Sequence, residues 1–359
     1  MAARRYPSLL ASLLLVSALT IPAVLGPASA TECAIPGSGA ARASSVIAIT
    51  PDGDTLLVVN PDSNSLTLVA TADHALLAEL PVGVDPRSVA VAPDGATAYV
   101  ANQGSDTLSV VDLLAREVSA QIPVGDRPVG VALSPDGRFI ALAELGRDRV
   151  RLMDAGDLST VSVSPVADRP HGLAFTPDGR RLLVTHLLSG EVTVLSVRPF
   201  RVYLPLIVKS LGGDGASQIA PVPSVLTIAT WPNVAPAPGV VVNASGTRAY
   251  LPQTMANGLG LNTAFDTSVF PKVSVLNLDA GTHQTGEHIS LPETDQPVGL
   301  PWAAALTKAD SELWVVNAGS NDVSVIDVSD PDLPARAGHV TVGDNPRGIA
   351  ISPDGTTAY

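Results

Sequence analysis

Asp85 to Val124 reads DPRSVAVAPDGATAYVANQGSDTLSVVDLLAREVSAQIPV, and this stretch decides the fold. Arg87 to Ala92 is a short apolar run of the kind that forms a strand. Pro93-Asp94-Gly95 is a turn: proline presets one φ, aspartate hydrogen-bonds nearby backbone, and glycine accepts a positive φ. Thr97 to Ala101, Thr107 to Val111 and Glu117 to Ile122 are three more strand patterns, separated by the polar run Asn102 to Asp106 and by Asp112. The turn then recurs. It begins at Pro51, Pro93, Pro135 and Pro177, always 42 residues on, and returns at Pro353. A period near 40 residues with four strands per unit is the signature of a β-propeller.

Two degenerate copies of the turn fill the gap, Ala244-Ser245-Gly246 and Lys308-Ala309-Asp310. Counting turns predicts an all-β, seven-bladed β-propeller with four-stranded antiparallel blades. The last blade is expected to be truncated, because the chain stops at Tyr359 inside its second strand. The alternative is a ring whose later blades lie beyond this chain. Inner strands are expected as nearly continuous apolar runs and outer strands as alternating ones. Two long intervals between turns place insertions at about 201–232 and 252–272, in loops on the faces or rim.

The first thirty residues read as a secretory signal peptide. Arg4 and Arg5 are a basic start, Leu9 to Leu25 is apolar with a break at Pro22, and Ala28-Ser29-Ala30 offers a cleavage site. The rival reading, a retained anchor helix, sits poorly with that break. Residues 31–43 are then a linker and 44–359 the propeller. After the leader, no apolar stretch reaches the ~20 residues needed to span a bilayer. Cys33 is the only cysteine, so no internal disulfide forms. Glu32 before it argues against a lipid-anchored cysteine, leaving a free thiol or a link to another chain. The expected location is secreted, extracellular or periplasmic and cell-envelope. Lys and Arg total 21 against 34 Asp and Glu, for a net charge of -13, the wrong sign for a general nucleic-acid surface.

Tyr99-Val100-Ala101-Asn102 followed by Thr107-Leu108-Ser109-Val110-Val111-Asp112 resembles the YVTN-type β-propeller repeat family. Trp314-Val315-Val316-Asn317 with Val323-Ser324-Val325-Ile326-Asp327 is a second match, and Leu57-Val58-Val59-Asn60 a looser one. The resemblance implies the fold across nearly all of residues 44–359. It does not select a function, since such propellers include surface-layer proteins, exported proteins of unknown role, lactonase-like enzymes and electron-transfer proteins. The tract from Asn262 to Val275 looks like an insertion of bacterial propellers that continue into a cytochrome-c-like domain. That likeness implies a Cys-x-x-Cys-His haem site beyond residue 359. The chain itself has no such motif, and no cofactor is expected in it.

Counting six residues back from each turn gives the residue that opens each innermost strand: Ser45, Arg87, Val129, His171, Pro238, Trp302 and Arg347. In a propeller these come near the mouth of the central channel. Arg87, His171, Trp302 and Arg347 would then form a ligand-binding set for an acidic or aromatic molecule, with arginine forks and an indole stacking face. The bland alternative is a wet channel lining, with the arginines paired to Asp85, Asp126, Asp168 or Asp344. The turn aspartates Asp52, Asp94, Asp136, Asp178 and Asp354 repeat with the fold and read as turn formers. His171 and His186 stand fifteen apart on different strands, His283, His288 and His339 are scattered, and no metal site follows. No catalytic residues are assigned: there is no Gly-x-Ser-x-Gly and no phosphate loop. Three functions stay open: a binding or interaction scaffold for a protein or cell-envelope component, a lactonase-like hydrolase at the channel mouth, and the propeller part of a cytochrome-c-like redox protein.

Overall fold

The computed structural model describes residues 19–20, 43–197, 225–229, 234–235, 238–256, 269–280, 282–291, 298–307, 309–330 and 333–359. The expected leader and linker lie outside these, apart from 19–20 and Ala43, as do Cys33 and most of both expected insertions.

Among the described residues, six antiparallel sheets of four or five strands follow one another along the chain. The second blade is Pro86–Val91, Thr97–Asn102, Thr107–Asp112 and Glu117–Pro123, close to the strands read from the sequence. The third is Pro128–Leu133, Phe139–Glu144, Arg149–Asp154 and Thr160–Pro165. The first runs from Ile47–Ile49 to Leu76–Pro81 and the sixth from Pro301–Leu306 to Ala335–Thr341. The fourth takes its outer strand, Val225–Ala229, from within the first expected insertion. In the fifth, Arg248–Ala256 and Val269–Asn277 pair over nine residues, so both ends of the second expected insertion are strand.

The ring has six blades, not the seven expected. The final Pro353 turn closes only a hairpin, in which Ala350 and Tyr359 exchange both backbone hydrogen bonds and Ser352 N–H donates to Thr357 O. Its far edge pairs with Leu19–Thr20 across Thr357–Ala358. Counting turns counts inner hairpins, and a hairpin needs only local chemistry; a blade needs four strands. The hairpin nonetheless sits in the ring. Ile349 and Ala358 pack with Trp314 and Val316 of the sixth blade, while Ala350 packs with Ile49 and Leu56 of the first.

Side chains grade as expected with distance from the axis. In the third blade every residue of Pro128–Leu133 and Phe139–Glu144 is buried. The outer strand Glu117–Pro123 alternates between exposed and half-buried. The apolar clusters lie between neighbouring sheets, for example Ala90, Tyr99 and Leu108 of the second blade against Val131, Ile140 and Met153 of the third. Each fully buried aliphatic there contributes roughly 1.5–3 kcal/mol. Face-to-face burial therefore joins the units, and no blade is a domain by itself.

The turns register one blade on the next. Asp52, Asp94, Asp136, Asp178 and Asp354 each accept a hydrogen bond from the N–H two residues on, at 2.9–3.1 Å. Gly137 takes φ 71°, and in the sixth copy Asp310 takes φ 53° in the glycine's place. Gly95, Gly137, Gly179 and Gly246 each face the proline of the preceding turn, and Gly53 faces Pro353, which closes the circle.

Candidate functional site

Four of the inner strands begin with the same device. Pro86 pairs with Asn102 and Ser88 with Ala101, so Arg87 has no partner and forms a bulge. Val129 and Trp302 are skipped in the same way, and one residue is extra across His171 and Gly172. A bulge frees a side chain from the in-out alternation of the sheet and re-aims it. The residue two before five of the mouth positions is left-handed: Asp85, Arg127, Arg169, Leu300 and Asn345 have φ 50–55°. This is uncommon for a side-chain-bearing residue. A clamp from the preceding blade holds it: Asn64 Oδ1, Asp106 Oδ1, Asp148 Oδ1 and Asn321 Oδ1 accept the N–H of Asp85, Arg127, Arg169 and Asn345, all at 2.8 Å. Proline follows in every case and presets the backbone into the bulge.

The residue after the mouth position must be small where neighbouring strands approach. A Cβ on Gly172 would stand 2.6 Å from Pro238 O, and one on Gly348 would stand 2.6 Å from Val46 Cγ2. A Cβ on Gly130 would overlap the His171 carbonyl oxygen. These contacts step round the ring from blade to blade, which places Arg87, His171, Pro238, Trp302 and Arg347 at one end of it.

The four expected ligand-binding residues form two pairs. Arg347 lies over the indole of Trp302, with Cζ 4.0 Å from the ring centroid. Among the described residues Arg347 meets no carboxylate. The second pair is Arg87 and His171, on either side of Val129, close enough for the guanidinium charge to act on the imidazole. Arg87 is already engaged, with Nη2 2.9 Å from Asp85 Oδ2, as the bland reading expected for that position. Asp126 meets Arg147 at 3.5 Å instead, and Asp344 accepts from Asn321 Nδ2 at 3.1 Å. Among the described residues no hydrogen bond or ion pair joins one pair to the other.

His171 is the best-defined group. Its Nδ1 lies 2.9 Å from Pro238 O. A carbonyl can only accept, so Nδ1 carries the proton, and in the neutral ring Nε2 keeps its lone pair. Burial pushes the imidazole pKa below its ordinary 6.5; the Pro238 carbonyl opposes this and the Arg87 charge adds to it. His171 is therefore a neutral imidazole of fixed tautomer at pH 7.

His186 does not join it. It is buried, with Nε2 2.8 Å from Thr193 Oγ1, and belongs to a polar latch repeated at the end of five second strands among the described residues. The latch is Asn102 Nδ2 donating to Thr107 and Ser109, Asn317 Nδ2 donating to Asp322 and Ser324, and a buried Glu144 carboxylate held by Arg149 and Arg151. His339 stands 3.7 Å from Asp322. The side chains of His283 and His288 lie outside the described structure. Among the described residues no cluster of three or more His, Cys, Asp or Glu is placed to hold a metal. Sequence reasoning missed both the clamp and the latch. Their signals were present: an acidic or amide residue 21 positions before Asp85, Arg127 and Arg169, and hydrogen-bonding residues five and seven after Asn60, Asn102, Glu144, His186 and Asn317.

With this geometry in place, three comparisons bear on the chain. The family model described as the Cytochrome D1 heme domain matches residues 51–185, less than half of the chain. Among solved structures, Kuenenia stuttgartiensis hydrazine synthase is similar with a TM-score of 0.71 and 22% identity, covering 92% of this chain and 94% of that one. A functionally unknown protein from Desulfotomaculum acetoxidans is similar with a TM-score of 0.60 and 18% identity, covering 86% and 88%. No curated protein matches significantly. What these likenesses establish is the architecture, an all-β propeller of four-stranded blades.

Proposed function

We propose that this is an exported YVTN-type propeller working as a binding module, which holds a carboxylate-bearing aromatic ligand at the channel mouth. One observation carries the reading: the Arg347 guanidinium stacks on Trp302 and faces no carboxylate among the described residues. Stacking fixes the plane of the fork and leaves its edge for an anion. A flat ligand would find the neutral His171 and Arg87 across the mouth. The acidic surface keeps such a module soluble.

Calorimetric titration with benzoate and phthalate tests this. Binding should weaken about tenfold or more in Arg347→Ala, the loss expected for one charge-assisted hydrogen bond. Trp302→Ala should weaken it less. Equal affinities in parent and Arg347→Ala would refute the reading.

A second reading is favoured by the match to a family named for a haem, which spans Arg87 and His171. The residues fit such a group at one point: His171 Nε2 would hold its iron, because Nδ1–H is held by a backbone carbonyl, a common arrangement for ligating histidines. Arg347, over Trp302, is the available partner for one of its carboxylates. A bound haem would supply a redox-active iron. Haemin titration should then give a Soret shift in the parent and none in His171→Ala; identical spectra would end this reading.

A further inference from the structure

Ala43–Ser45, just before the first blade, lies inside the ring. Ser44 N–H donates to Leu173 O at 2.8 Å, and Leu173 N–H donates to Ser44 Oγ at 2.9 Å. Val89 N–H donates to Ser45 O at 2.8 Å. Ala43 and Ser45 form antiparallel bridges with Ala174 and Val89. Leu173 and Ala174 belong to the inner strand of the fourth blade, and Val89 to that of the second. The segment thus reaches past the channel side of the third blade, against the direction of the inner strands, before the chain bends at Val46 into the first. Ala43 also packs on the cluster of Ala174, Leu183 and Val192.

The channel side of an innermost strand is a free sheet edge, with N–H and C=O groups that only water or another segment can satisfy. Ala43–Ser45 supplies partners to two such edges at once. The level matters for the mouth. Val89 and Leu173 stand two residues along their strands from Arg87 and His171. At about 3.3 Å per residue, the crossing lies about 7 Å beneath the bulged side chains.

We propose that Ala43–Ser45 is a strap that floors the mouth site and makes it a blind cup. Ligands then enter and leave by the mouth alone, and those longer than the cup are excluded. Ser44 is the positioning residue, because it alone holds both directions of the contact to Leu173. The proposal rests on the mouth being a ligand site. Only its placement part is independent of that.

Placement is tested by cross-linking and amide exchange. Ala43 and Ala174 flank the Ser44–Leu173 hydrogen bond, a non-hydrogen-bonded pair whose Cα atoms lie about 4.5 Å apart, within disulfide reach. In a Cys33→Ser background, Ala43→Cys with Ala174→Cys should oxidise to a link without loss of Tm. In Ser44→Pro, Val89 and Leu173 amides should exchange about tenfold faster or more. The Val131 amide, held by Ser88 Oγ, should stay as it was. Ser44→Ala, a milder change, should release Leu173 alone. A pair that never links, or Val89 and Leu173 amides unmoved in Ser44→Pro, would overturn the strap.

Its role toward ligands is read from benzoate and the longer biphenyl-4-carboxylate. The biphenyl-to-benzoate affinity ratio should rise about fivefold or more in Ser44→Pro, the gain from an opened floor. An unchanged ratio with both probes bound overturns the floor and leaves the mouth reading intact. Neither probe binding the parent, while the cross-link forms, removes the mouth reading and the floor together.

Discussion

Gly172 and Gly239 hold the same place in consecutive blades, one residue after the mouth position, yet they should respond oppositely to alanine. A Cβ on Gly172 would stand 2.6 Å from Pro238 O and 2.8 Å from Thr185 Oγ1, whereas one on Gly239 would stand 3.5 Å from Trp302 O. Neither glycine has a positive φ, so backbone strain does not separate them. A relaxed carbon–oxygen contact is about 3.3 Å, so Pro238 O must retreat by about 0.7 Å in Gly172→Ala. That oxygen is the acceptor for His171 Nδ1, now at 2.9 Å. The retreat takes the bond past the ~3.2 Å limit of a sound N–H···O contact. Overpacking costs about 1–3 kcal/mol and the buried hydrogen bond about 1 more, near 3 kcal/mol in all. Spread over ~300 residues at ~2.1 cal/mol/K each, this lowers Tm by about 5 °C. Gly239→Ala should stay within about 0.5 kcal/mol, helped by the smaller entropy of its unfolded chain. Thermal unfolding with nitrogen NMR of the His171 ring checks both parts: Gly172→Ala should lose stability and the fixed Nδ1–H tautomer, and Gly239→Ala should keep both. Equal Tm values for the two variants would refute the reasoning, since only the strand separation differs.

Other outcomes follow from the same contacts. Gly137→Val forces a branched residue into φ 71° beside Pro93 and should cost about 1–3 kcal/mol by urea unfolding. Glu144→Ala leaves Arg149 and Arg151 without their buried counter-charge and should cost about 3 kcal/mol, while Arg149→Ala in that background should cost far less than alone. Stability should fall in two pH windows. His171 and His186 are both held neutral by burial, so below their unfolded value of 6.5 the unfolded chain takes protons that the folded one refuses. Stability drops as pH falls from there, and His171→Gln with His186→Gln should flatten that part of the curve. Asp52 and Asp354, lowered chiefly by the Thr50 and Ser352 hydroxyls, contribute above their unfolded 3.8 and lose that contribution as pH falls through their depressed values. That second window should survive the double histidine variant.

Local chemistry was legible. A Pro-Asp-Gly turn needs only four residues, and a strand in the second blade needs only its own apolar pattern, so Thr97–Asn102 and Thr107–Asp112 could be bounded from the sequence. The alignment that picked Arg87, His171, Trp302 and Arg347 also came from local spacing. The structural cause at Arg87, His171 and Trp302, a bulge after a left-handed residue and a proline, was written in the sequence but not recognised.

Whatever depended on distant segments meeting was not legible. The sequence determined where inner hairpins form, because each is closed by its own turn. Only the tertiary structure decided that the last hairpin sits between the sixth blade and the first. It also decided that Arg347 rests on Trp302 while Arg87 is taken by Asp85, and that Ala43–Ser45 crosses beneath His171. Those outcomes are set by which free edges and faces approach across the ring, and no periodicity along the chain encodes that distance.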